Sequence, residues 1–554
     1  MIIANFVMEM GLEGEMPTYS GGLGVLAGDF ALSFADMGVP AVFVTLLYRG
    51  GYVAQELDRN SGQLDGEKSM DPTRFLKPLD KSVDLEMAGR HVKVNAWEYV
   101  IQSKSRVSVV FLDTDDSSND PAGREVTRRL YGGDPWYRLE QEAVLGVAGY
   151  RMLKALGYGV DVYHLNESHA ALLTTELLRE FGKKEAVRER CVFTAHTPVA
   201  AGYDAFPVAM IKQMFEHYDW IDWNVEENEG RIDLSQLALK YSGVTNAVSL
   251  KHRYVSERVL KNNHVEYVTN GVYHRRWIHD QLKILFSRHM PGWERTPSLL
   301  RGAFNLPSGE LSDAHRAVKA EMVSMINART ANHFDSDSLT IGLAKRVTAY
   351  KRNNLILSNP ERLADAAERH GVIQLVFAGK AHPRDEGGKA MIKDIIQKGE
   401  DLAKTSTKVR VAYLQDYDIG MSRTLVAGCD LWLNTPRRPL EACGTSGMKA
   451  AMNGTLNFSV YDGWWLEGGI EGVNGWGIGR RPEWLDFTES SDSEDLSDLY
   501  GKLSGSIAPT YYLRRDKWWE MAKSSIATVA PFFNSYRMVG DYITRVYSRI
   551  GASA

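Results

Sequence analysis

SLTIGLAKRVTAYKR, residues 338–352, joins two patterns that decide the fold. Its first half, Leu339 to Ala344, is a continuous apolar run without alternation, which reads as a strand buried on both faces of a sheet. Its second half brings four cations, Lys345, Arg346, Lys351 and Arg352, into eight positions. A strand buried on both faces is a parallel strand with helices above and below it, and ligands bind outside the carboxyl ends of such strands. The cations therefore form a candidate phosphate clamp, in which Arg offers a planar fork and Lys a compact point charge.

Working outward, the same kind of run recurs at VIQLVFAG from Val372, VRVAYL from Val409, CDLWLN from Cys429 and TLNFSV from Thr455. A first series precedes it: MIIANFVM, AVFVTLLY from Ala41, VSVVFL from Val107, VDVYHL from Val160 and CVFTAH from Cys191. Helical patterns separate the runs, so each series reads as one doubly wound parallel α/β domain. A chain of 554 residues is also too long for a single core. Turn chemistry at Thr269-Asn270-Gly271 marks the boundary. The expected division is 1–270, 271–525, and a C-terminal helix over 526–554 that is free to cross back to the first domain. ESSDSEDLSD, residues 489–498, reads as an exposed loop or a helix start.

A net charge of −5 supplies no field toward nucleic acid or a membrane surface, so an anion site must be a local cluster. Cys191, Cys429 and Cys443 fit neither a zinc site nor a disulfide framework. No histidine pair has metal-ligand spacing, and no metal is expected. The N-terminus lacks the pattern of a secretory signal, and the apolar stretch Ala143 to Leu156 is broken by Arg151 and Lys154. These features read as a cytoplasmic enzyme.

Three further features carry chemistry. Tyr19-Ser20-Gly21-Gly22-Leu23-Gly24 precedes a helical pattern at Val25, where glycines let backbone N–H groups approach an anion; it reads equally as a tight connection. RRPLEACGTSGMK, residues 437–449, is a small-residue loop leading to Lys449, and lysine is the residue that forms a Schiff base with pyridoxal phosphate. His196 ends a strand before Thr197-Pro198, whereas His164 and His169 read as structural. Trp464-Trp465 reads either as a glucan platform or as core packing.

Taken together, MEMGLEGEMPTYSGGLGVLAGD, HLNESH, FTAHTPVAAGYDAFP, VTNGVYHRRW, TIGLAKRVTAYKR, VFAGKAHPRDEGGK and NTPRRPLEACGTSGMKAAMNGTLNFSVYDGWW resemble the α-glucan phosphorylases, the glycogen, starch and maltodextrin phosphorylases, in their compact prokaryotic form. The resemblance covers most of the chain. It implies the GT-B architecture, two Rossmann-like domains facing a central cleft, and reversible phosphorolysis of an α-1,4-glucan to glucose 1-phosphate with retention of configuration. It implies pyridoxal 5'-phosphate on Lys449, with its 5'-phosphate working on the substrate phosphate. Lys345, Trp277, Gly22 and Thr445 fall on cofactor positions, and Arg346 and Lys351 on phosphate positions. Gly22, Leu23, Asn270, Glu441 and Gly444 fall on substrate positions, and the His196 carbonyl lies by the sugar. A homodimer is left open. Cys443 stands where many relatives have serine, and Tyr203 where the compact branch often has histidine. The rival readings are a GT-B synthase using a nucleotide sugar, a non-catalytic glucan-binding relative, and a pyridoxal-phosphate aminotransferase.

Overall fold

The structure, a computed structural model, describes residues 1–199, 203–224 and 226–551. In chain order its strands are β1 (Ile3–Phe6), β2 (Ala41–Leu46), β3 (Ala54–Asp58), β4 (Gly62–Gly66), β5 (Lys77–Met87), β6 (Arg90–Gln102), β7 (Arg106–Asp113), β8 (Val162–Asn166), β9 (Cys191–Thr194), β10 (Ala205–Pro207), β11 (Arg231–Asp233), β12 (Val244–Ala247), β13 (Val265–Tyr267), β14 (Leu339–Ala344), β15 (Ile373–Ala378), β16 (Val409–Leu414), β17 (Leu431–Asn434), β18 (Leu456–Val460) and β19 (Gly475–Ile478). They divide between two units. One comprises Met1–Tyr52, Glu67–Thr269 and Met538–Ala554, the other Val53–Gly66 and Asn270–Arg537.

The first unit is built on a nine-stranded sheet in the order β13-β12-β9-β8-β1-β2-β7-β6-β5. From β13 to β7 neighbours run parallel. Strands β6 and β5 then run antiparallel, an extension that a purely parallel reading does not anticipate. Burial alternates along β6 and much of β5 is exposed, the pattern of strands with one solvated face. Chain order reverses direction between β1 and β8, so loops leaving these two strands share a topological switch point. His164 on β8 is fully buried and structural, its ring nitrogens 2.8 Å from the Tyr547 hydroxyl and 2.7 Å from Thr194 Oγ1.

The second unit has a six-stranded parallel sheet in the order β16-β15-β14-β17-β18-β19. Its core is formed by Leu339, Ile341, Leu343, Leu375, Phe377, Leu431, Leu433 and Phe458 with apolar helix faces. The reversal of chain order falls between β14 and β17, which puts Lys345-Arg346 and the loop after Asn434 at one switch point. Two parallel-sheet α/β units in one chain give the GT-B class.

The unit boundaries differ from a simple division at residue 270. Hairpin β3–β4 sits with the second unit because its two buried glutamines bond to loops after β15 and β16. Gln55 Nε2 donates to the Gly379 carbonyl at 2.8 Å and its Oε1 accepts from Asp416 N at 3.0 Å. Gln63 Oε1 accepts from Ala381 N at 2.9 Å. The segment after residue 525 is likewise shared: the second unit ends at Arg537, and the chain from Met538 joins the first. Glu489–Asp498 becomes the start of helix Asp492–Lys502, capped by Ser491. Among the described residues no helix is long and apolar enough to cross a membrane.

Candidate active site

In the second unit, Lys345 and Arg346 leave the carboxyl end of β14, and Lys345 Nζ donates to Asn434 Oδ1 at the end of β17 at 3.3 Å. Burial, with repulsion from Lys351, lowers the Lys345 amine to about 7. Arg346 is exposed. Lys351 pairs with the Glu441 carboxylate. Burial opposes its charge, but Glu441 outweighs burial and holds the amine above the ordinary lysine range. Arg352 does not belong to the clamp. It has a positive φ of 44° and is buried, with Nε donating to the Thr435 carbonyl at 2.9 Å and Nη2 to Asp495 Oδ2 at 2.5 Å. The fourth cation of the sequence cluster therefore braces the loop that follows β17.

That loop, Thr435 to Thr445, ends at the short helix Ser446–Ala451, which carries Lys449. Lys449 is only 6% exposed, and its Nζ lies 3.7 Å from the centre of the Trp277 ring. Asn453 fixes both partners, its Nδ2 donating to the Trp277 carbonyl and to the Lys449 carbonyl at 2.8 Å each. Thr445, half-buried, immediately precedes this helix. Trp464 and Trp465 are buried and pack edge-on, 5.2 Å between centroids, so they are core rather than a platform.

Glu441 is set by its own N–H, which donates to Asp462 Oδ2 at 2.9 Å. Gly444 follows with φ +87°, a conformation that favours glycine. The buried Cys443 thiol faces the Asn270 backbone N–H, and burial pushes the thiol well up, so it rests as a neutral thiol. Asn270 is buried and its Oδ1 has no partner among the described residues. An unpaired buried carbonyl costs free energy unless a ligand or water supplies a donor.

In the first unit the helix after β1 begins at Gly22 rather than Val25 (helix α1, Gly22–Met37). Of the glycine turn, Gly21 is not available to an anion: Glu9 Oε2 accepts from Ser20 N at 2.5 Å and from Gly21 N at 3.1 Å. The Gly22 and Leu23 amides open the first turn, where a helix has no internal acceptors for them. Gly24 must be glycine, because a Cβ there would lie 2.6 Å from Tyr19 Cβ. His196 follows β9. Burial lowers its imidazole to about 3, so it is neutral, and its Nε2 lies 2.9 Å from Asn166 Oδ1. His169 is structural, its Nε2 accepting from Met8 N at 3.2 Å. Tyr203 uses its hydroxyl on the Thr197 carbonyl at 2.9 Å. The Ala200-Ala201-Gly202 part of this motif lies outside the described residues.

Two acids escaped the sequence reading: Glu9, and Glu167, whose Oε1 accepts from His196 N at 2.8 Å. Each follows a buried strand at the switch point, the signal that could have singled them out. No group of three or more His, Cys, Asp or Glu suited to a metal occurs among the described residues.

The family described as carbohydrate phosphorylase matches residues 219–469, and that described as starch synthase catalytic domain matches 13–261. The chain is 36% identical to maltodextrin phosphorylase of Thermococcus litoralis, over 99% of this chain and 70% of that one. It is 33% identical to glycogen phosphorylase of Aquifex aeolicus, over 98% and 85%. An uncharacterized protein of Methanocaldococcus jannaschii matches at 29% over 98% and 99%.

Proposed function

Because this chain belongs to the carbohydrate phosphorylase family, we infer that it is an α-1,4-glucan phosphorylase, releasing glucose 1-phosphate from glycogen or maltodextrin reversibly and with retention. The observation that carries this reading is one loop and helix holding both Glu441, paired with Lys351, and Lys449, buried against Trp277.

The residues fit pyridoxal 5'-phosphate: a buried amine lies on an aromatic face, on the chain segment that also reaches the lysines of the clamp. Lys449 would hold the cofactor, Trp277 would pack beside it, and Lys345 and Thr445 would take its phosphate. When bound, the cofactor supplies through that phosphate an acid–base group for the substrate phosphate.

The protein's own part is mainly electrostatic. Two phosphates brought together repel strongly in a low-dielectric site, and cations with helix-start amides offset this. Arg346 and Lys351 hold the attacking phosphate in the second unit, and the first unit offers the Gly22 and Leu23 amides to an anion. Lys345, near 7, takes a proton when an anion arrives. Glu441, the Gly444 amide and Asn270 hold glucose hydroxyls, with the unpaired Asn270 Oδ1 as an acceptor. The His196 carbonyl lies by the positive charge that develops on the sugar, a charge expected for glycosidic cleavage. Exclusion of water lets phosphate attack instead. The three buried cysteines, which form no disulfide, support a cytoplasmic setting.

The test is maltodextrin plus phosphate, with and without added pyridoxal phosphate, on wild type and Lys449→Ala. Wild type releases glucose 1-phosphate; the variant retains no cofactor and releases none. Full phosphorolysis by the variant would end the assignment. The match to a starch synthase domain favours one second reading, glucosyl transfer from a nucleotide sugar. Transfer from ADP-glucose without any cofactor would establish that reading instead.

A further inference from the structure

We propose that Glu167 is a positioning residue that fixes the direction of the His196 carbonyl, and this rests on the reading of His196 as a sugar-facing group. Strands β8 and β9 are parallel neighbours, and Glu167 and His196 follow their carboxyl ends. Glu167 has φ 62° and ψ 175°, a region occupied almost only by glycine. Such a conformation costs about 1–3 kcal/mol for a residue with a Cβ and persists where its surroundings impose it. Its backbone is held from β9, with Glu167 N donating to the Thr194 carbonyl at 3.0 Å.

The side chain explains why a glutamate occupies a glycine conformation. It is buried, and Oε1 accepts from His196 N at 2.8 Å. The Thr197 N–H is directed toward the same carboxyl, whose second oxygen, Oε2, is buried with no hydrogen-bond partner among the described residues. In a planar trans peptide, the carbonyl of one residue points opposite to the N–H of the next. Holding the Thr197 N–H toward Glu167 therefore turns the His196 carbonyl away from it. The neighbouring groups are fixed independently: His196 Nε2 by Asn166, and the Thr197 carbonyl by the Tyr203 hydroxyl. The His196 carbonyl has no partner among the described residues.

Two substitutions separate positioning from folding. Glu167→Gly keeps the backbone conformation and removes only the carboxyl. Glu167→Gln keeps an acceptor oxygen of the same reach. Phosphorolysis of maltodextrin by the cofactor-loaded chain is measured for wild type and both variants, together with bound pyridoxal content and melting temperature. The Gly variant loses about tenfold to a hundredfold in kcat, while its KM for phosphate and its cofactor content match wild type; the Gln variant recovers most of the loss. A Gly variant with wild-type kcat overturns the proposal. So does a loss shared equally by the Gln variant, or one that follows melting temperature alone. Absence of phosphorolysis in wild type itself removes the functional reading, and this inference with it.

Discussion

Replacing Arg352 by alanine should damage the fold rather than phosphate affinity. The guanidinium is 5% exposed and bonds Asp492, Asp495 and the carbonyls of Thr435 and Pro436. The Asp495 side chain is 1% exposed, so removing its cation strands a buried carboxylate, at about 3–5 kcal/mol. The Asp492 side chain is 49% exposed, and its share of the pairing counts for little. The two carbonyls each lose a donor, but these costs overlap with the first and are not added to it. At about 2–4 °C per kcal/mol the melting temperature should fall on the order of 10 °C. Arg346→Ala is the matched control. Its side chain is exposed, so stability should stay within about 0.5 kcal/mol while phosphate KM rises or kcat falls severely. The assay is thermal melting beside phosphorolysis at varied phosphate. If Arg352→Ala melts like wild type and loses phosphate affinity, the division of the cluster into clamp and brace is wrong.

Three other outcomes follow from the same geometry. Sulfate, a dianion that does not titrate near neutrality, should bind the cofactor-free chain with proton uptake by Lys345. From a value of about 7 rising toward 10.5, the uptake is about half a proton at pH 7 and about 0.9 at pH 8; calorimetry in buffers of different ionisation enthalpy reads it, and Lys345→Met abolishes it. Without an anion the unfolded chain binds more protons between pH 7 and 10.5, so stability rises with pH across that window. Buried Lys319 bonds Asp430 at 2.6 Å; burial raises the Asp430 carboxyl, but Lys319 and His315 outweigh it and lower it from 3.8 to about 2. That contribution is complete above pH 3.8 and disappears as pH falls through about 2, and Lys319→Met should cost about 3–5 kcal/mol in urea titration. Trp464→Ala should destabilise by about 3–5 kcal/mol without selectively raising KM for long glucans.

The buried strands were legible because a parallel strand writes itself as an uninterrupted apolar run: SLTIGLA became β14, and VIQLVFAG became β15. Strands β5 and β6 were not, since RHVKVNAWEYVIQ interleaves polar and apolar residues, with Arg90, His91 and Lys93 at least partly exposed and only Glu98 of its charges buried, against Arg106 and Ser108. Hairpin β3–β4 was hidden for another reason. Its attachment depends on Gln55 and Gln63, polar residues whose partners lie over 300 positions away. In the site, the loop around Lys449 stood out through its small residues, and the structure places that lysine against Trp277. Local spacing could not separate Arg346 from Arg352, because only the fold brings Asp495 to the latter. Glu9 and Glu167 were overlooked since a single acid after a strand looks ordinary until its amide partners are known.

The placement of hairpin β3–β4 also bears on how the protein is made. Gln55 emerges from the ribosome 324 residues before Gly379, the carbonyl it will bond. At roughly 5–20 residues per second, that is a wait of about 16–65 s. His164 waits longer still for Tyr547, 383 residues downstream. Neither unit can therefore finish folding while the nascent polypeptide is short. The strands of the first unit can pair early, but the apolar face that Met538, Tyr542 and Tyr547 cover stays open until synthesis is almost over, which makes slow translation or a shortage of chaperones the condition under which this enzyme would aggregate first.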